Sequence, residues 1–97
     1  MPVKNILVVD DSPTERFFSV DLLTKAGYQV STAESGEEGI AKAKATKPDL
    51  ILMDVVMPGL NGYQATRTLT RDEETKNIPV IVCTSKGQET DKIWGLR

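Results

Sequence analysis

The chain has no histidine and a single cysteine, Cys83, among 97 residues. Imidazole and paired thiolates are the ligands that zinc and the redox metals prefer, so those centres are excluded on composition. One cysteine cannot close an internal disulfide, which fits a reducing, cytoplasmic setting. There is also no run of basic residues. Twelve lysines and arginines are scattered among fourteen acids, for a net charge of −2, and nothing in that balance favours nucleic acid or an anionic membrane surface. No apolar stretch approaches the ~20 residues of a membrane span. The opening Met1-Pro2-Val3-Lys4-Asn5-Ile6-Leu7-Val8-Val9 meets two acids too soon to be a secretory signal. Low-complexity segments and linkers are absent too, so residues 1–97 read as one domain near the lower size limit for folding without staples.

What is present is an alternation. Four short runs rich in β-branched residues recur at Asn5–Val9, Tyr28–Thr32, Leu50–Met53 and Val80–Cys83. The first, third and fourth are continuously apolar, as strands covered on both faces should be. The second is partly polar and suits a sheet edge. Helices are predicted between them. Pro13, with Asp11 or Ser12 as cap, opens one whose inward stripe is Phe18, Leu22 and Ala26, stopped by Gly27. Phe17 and Val20 fall off that stripe. Ser35 and Glu38 form a capping box for a second helix carrying Ile40, Ala43 and Ala45. A third runs from about Gly62 to Arg71, with Ala65 and Leu69 on one face. A fourth is predicted from Gln88 onward, carrying Ile93, Trp94 and Leu96.

Strand–helix alternation of this kind implies a parallel sheet with right-handed crossovers. In such sheets the functional site lies beyond the carboxyl ends of the central strands. Asp10 and Asp11 follow the first strand, Asp54 the third, and Thr84 and Ser85 the fourth. A single aspartate there is ordinarily a turn former or helix cap, but three strand ends agree. Carboxylates gathered at one edge repel unless a cation sits among them, and an oxygen-only, shallow site favours Mg²⁺. A carboxylate beside such a cation is a competent nucleophile for phosphorus. Asp54 is followed by Met57-Pro58-Gly59-Leu60-Asn61-Gly62, a loop able to bring the Val56 carbonyl near an ion.

The segments Val8-Val9-Asp10-Asp11-Ser12, Leu52-Met53-Asp54 through Asn61-Gly62, and Pro79 through Ser85 together resemble the receiver domain of two-component response regulators, of the single-domain chemotaxis type. The resemblance spans the whole chain. It implies an α/β, flavodoxin-like, three-layer αβα fold with parallel strands in the order 2-1-3-4. It implies Asp54 as phosphoacceptor, Asp10, Asp11, Asp54 and the Val56 carbonyl as Mg²⁺ ligands, and Thr84 as the hydroxyl that contacts the phosphoryl group. The donor it implies is a histidine kinase or phosphotransfer domain, and the chain would be an acceptor, not an enzyme acting on external substrates. The stretch from Met57 through Gln64-Ala65-Thr66-Arg67 to Gln88–Gly95 is further similar to regulators of type IV pilus twitching motility.

The family pattern includes a fifth strand–helix unit with an active-site lysine and a switch aromatic, and the chain is expected to end before it. Lys86 and Lys92 are not given that role. Without that unit the strand Val80–Cys83 is expected to be a bare sheet edge, open to pairing between copies of the chain through residues 80–97. A phosphorylation-independent interaction scaffold is the alternative function. An aspartyl phosphatase would need an acid two residues past Asp54, where Val56 stands, and a nucleotide site would not place Asp10 and Asp11 in its first loop.

Overall fold

The computed structural model describes residues 3–55 and 61–83, together with the backbone of residues 93 and 94. Within these, β1 (Asn5–Val9), α1 (Pro13–Lys25), β2 (Gln29–Ala33), α2 (Gly36–Thr46), β3 (Leu50–Asp54), α3 (Gly62–Arg71), β4 (Val80–Cys83) and β5 (Ile93–Trp94) follow in order. The sheet order is β2-β1-β3-β4-β5. The first four strands are parallel, in the predicted order 2-1-3-4. Among the described residues no helix is long and apolar enough to cross a membrane.

Parallel pairing puts alternate residues of neighbouring strands on a common face. Leu7, Ile51 and Val80 share one row, and Val9, Met53 and Val82 the next. All six are buried and pack with Ala43 of α2 and Ala65 and Leu69 of α3. The helix residues there are small because α2 lies directly on the sheet: a Cβ on Gly39 would come 2.8 Å from Cγ2 of Val9. Ile40 is half-buried against this core, whereas Ala45 is exposed. Thr75, buried beyond α3, donates its hydroxyl to the Leu69 carbonyl at 2.6 Å and closes the end of that helix.

The other face is thinner. Ile6 and Val8 are buried there, while Leu50, Leu52, Ile81 and Cys83 are only half-buried. The helix α1 buries none of its residues fully, and its phase differs from the predicted one. Phe18 and Leu22, expected to point inward, are exposed, as are Ala26 and Phe17; Val20, expected outside, is half-buried with Arg16, Ser19 and Leu23. The start of the helix fixes this rotation. Ser12 is the N-cap and accepts from the Glu15 N–H, Pro13 follows it, and Arg16 reaches back to the Asp10 carbonyl.

The chain's end departs from expectation as well. Ile93 and Trp94 are a strand, not part of a helix, and pair antiparallel with β4 through Cys83 and Val82. A β-branched residue beside an aromatic favours extended backbone, and the outer edge of β4 supplies partners. That edge is therefore partly covered by the chain itself rather than bare. Val56, Gly59, Thr84, Ser85, Lys86, Gln88, Lys92 and Leu96 lie outside the described residues.

Asp49 clasps the amino-terminal end of the sheet. Its Oδ2 accepts from the backbone N–H groups of Asn5 at 2.9 Å and Lys4 at 3.0 Å, which hold the carboxyl below its usual range. A depressed folded-state value means the contribution is complete above the ordinary aspartate range, near about 4, and is lost as pH falls through the folded value. Asp49→Asn is expected to flatten the acid limb of stability between neutral pH and acid relative to wild type; denaturation followed from pH 7 to 3 checks this.

Candidate functional site

The carboxyl ends of β1 and β3 bring three acids together. One carboxylate oxygen from each of Asp10, Asp11 and Asp54 lies within 4.8 Å of the others. Asp54 sits deepest, 4% exposed. The Asp10 N–H donates to the Ala33 carbonyl at the end of β2, and its Oδ1 accepts from the Ser12 N–H at 2.9 Å. The chain thus turns sharply from strand into helix and leaves Asp11 at the rim, half-exposed.

Asp54 is fixed from the opposite side. The Val55 N–H continues the ladder to the Cys83 carbonyl at 3.2 Å. The first residue of α3, Gly62, meets the backbone of β3: a Cβ there would stand 2.2 Å from the Asp54 carbonyl oxygen and 2.7 Å from the Val55 Cα. Asn61 and Gln64 form a reciprocal capping box at this helix start. The Asn61-x-x-Gln64 spacing was a readable signal for it. Arg16 was also missed by sequence reasoning; no spacing marks a side chain that returns to a carbonyl six residues behind it. Cys83 is half-buried. Burial, then the Asp54 and Asp10 carboxylates, push its thiol up, so it is a poor nucleophile at neutral pH.

The donor set is oxygen only. On an octahedral Mg²⁺ ion with ligands near 2.1 Å, adjacent oxygens are about 3.0 Å apart and opposed ones about 4.2 Å, so the acids would draw inward from their 4.8 Å spread on taking up the ion. The residues present fit such an ion. A cleft of about 290 Å³ opens elsewhere, at the far end of β1 and β2, lined by Asn5, Gln29, Val30, Ser31, Thr46 and Pro48. It holds no charged side chain, and the chemistry lies with the acids.

Residues 6–97 match the family model of the response regulator receiver domain. The chain belongs to that family. This receiver is 61% identical over 92 residues to Protein PilH of Pseudomonas aeruginosa, covering 95% of the chain and 76% of PilH. It is 39% identical over 95 residues to the chemotaxis protein CheY of Thermotoga maritima, covering 97% of the chain and 78% of that protein. Among solved structures it is similar to the receiver domain of a Pseudomonas aeruginosa sensor histidine kinase, with TM-score 0.81 and 31% identity over 93% of this chain and 74% of that one. That structure holds a magnesium ion coordinated in its active site cleft. Receiver domains are phosphoacceptors that bind Mg²⁺ at an acidic pocket and interact with histidine kinases or phosphotransfer proteins.

The receiver's glycine at position 62 generates a prediction with an inverted sign. Alanine normally favours a helix over glycine by about 1 kcal/mol, but here the obstacle is backbone, which no rotamer can relieve. Gly62→Ala is expected to destabilise the chain by about 1–3 kcal/mol, measured by urea denaturation in EDTA. Stability equal to or above wild type would show that the abutment of α3 on the Asp54 carbonyl does not hold.

Proposed function

We propose that the chain takes a phosphoryl group onto Asp54 from a phosphohistidine and relays that state to a protein partner. The observation that carries this reading is the convergence of the Asp10, Asp11 and Asp54 oxygens within 4.8 Å, with Asp54 innermost. A carboxylate oxygen of Asp54 attacks phosphorus as the phosphorus–nitrogen bond to the donor imidazole breaks. The imidazole nitrogen keeps the electron pair and takes a proton. Mg²⁺, when bound, offsets charge on the transferring group. Asp10 and Asp11 would hold it with Asp54, and the Val56 carbonyl is the fourth protein ligand in this reading. Thr84 follows β4 in sequence and is assigned the hydroxyl that bonds a phosphoryl oxygen. The burial of Asp54 excludes most water from the acceptor.

The likeness to PilH supports a role in chemotaxis-like control of pilus-driven motility, in the cytoplasm, with a histidine kinase or phosphotransfer domain as donor. The test is mass spectrometry after incubation with Mg²⁺ and acetyl phosphate. A single labile adduct, removed by hydroxylamine and absent from Asp54→Asn, is expected. An adduct on serine or threonine, or one that survives in Asp54→Asn, contradicts the assignment.

A further inference from the structure

Arg16 brings a cationic side chain onto the backbone of the acidic loop. It leaves the second turn of α1, and its Nη1 donates to the Asp10 carbonyl at 2.7 Å. Its Nη2 lies 3.7 Å from Oε2 of Glu34, on the connection from β2 to α2. The Arg16 side chain is only 16% exposed, against 73% for Glu34. A single guanidinium therefore ties the β1–α1 turn to the β2–α2 turn, with the stronger bond on the side that carries Asp10. The Ser12 N–H holds the Asp10 side chain at the same time.

We propose that Arg16 is a positioning residue: it holds the Asp10–Asp11 turn in the shape that presents both carboxylates to a divalent cation. This rests on the Mg²⁺ reading above. Two effects compete. The positive charge of Arg16 opposes a cation nearby, while its bond to the Asp10 carbonyl removes freedom from the ligand-bearing turn. Glu34 faces the guanidinium and offsets part of its charge, and the geometric effect is the one proposed to dominate. Arginine suits the task because its planar fork reaches two acceptors at once, which a lysine ammonium at the end of a flexible stem does not reproduce. Partners that orient metal ligands without touching the metal commonly change affinity by an order of magnitude.

The test is an NMR titration of the 97-residue chain with MgCl₂ alone, on wild type, Arg16→Met, Arg16→Lys and Asp11→Asn, with thermal melts of each in EDTA. Arg16→Met is expected to bind Mg²⁺ about tenfold more weakly, with Arg16→Lys between it and wild type. With acetyl phosphate as donor, the Mg²⁺ concentration for half-maximal rate should rise in Arg16→Met while the rate at saturating Mg²⁺ stays near that of wild type. Arg16→Met binding as tightly as wild type, or more tightly, overturns the proposal, and so does Arg16→Lys equal to wild type, which would leave charge alone as the cause. Should Arg16→Met fail to fold, the lysine variant decides by the same criterion. If wild type and Asp11→Asn titrate alike, the metal reading itself has failed and the positioning role falls with it; if only those two differ, the failure is confined to Arg16.

Discussion

Three carboxylates held within 4.8 Å of one another are the constraint around which the carboxyl edge of this fold is arranged. At an effective dielectric near 20, each charged pair at that distance costs of order 3 kcal/mol. No sequence needs such a cluster for folding. The sheet's order, the turn after β1 and the abutment of α3 on β3 together bring this grouping about, and a bound cation would relieve its repulsion. In the proposed function the metal site and the acceptor share Asp54, so a cation that neutralises the cluster would also sit beside the reacting oxygen.

The holding is done by two close approaches of unlike kinds. On the β1 side it is polar: the Ser12 N–H on the Asp10 carboxylate and Arg16 on the Asp10 carbonyl. On the β3 side it is steric: Gly62 lets the helix start press against the Asp54 backbone, and the Asn61–Gln64 box fixes where that helix begins. Further away, the salt bridge from Lys44 to Asp72 at 2.8 Å links α2 to the end of α3. It is solvent-exposed and contributes little, whereas the apolar rows of β1, β3 and β4 supply the rigidity that keeps the strand ends in register.

Much of this was legible in the sequence because it rests on local pattern. Continuous apolar runs mark buried parallel strands, and the acids at their ends follow from topology once the strand order is known. The rotation of α1 was not legible. Phe18 and Leu22 have the spacing of an inward stripe, yet the thin face of the sheet leaves them exposed and the polar anchors of Ser12 and Arg16 set the phase. Ile93 and Trp94 were misread for a related reason. Their spacing with Leu96 fits a helix as well as a strand, and the choice is made by β4, a partner about ten residues away.

The central claim is that the cluster is strained without a cation and relieved by one. Thermal melts of wild type and Asp54→Asn in EDTA and in millimolar Mg²⁺ test it most directly. The account predicts that Asp54→Asn melts at or above the wild-type temperature in EDTA and gains almost nothing from Mg²⁺, while wild type is stabilised by the ion. A wild type indifferent to Mg²⁺, or an Asp54→Asn variant that gains as much, would show that the three acids are merely structural.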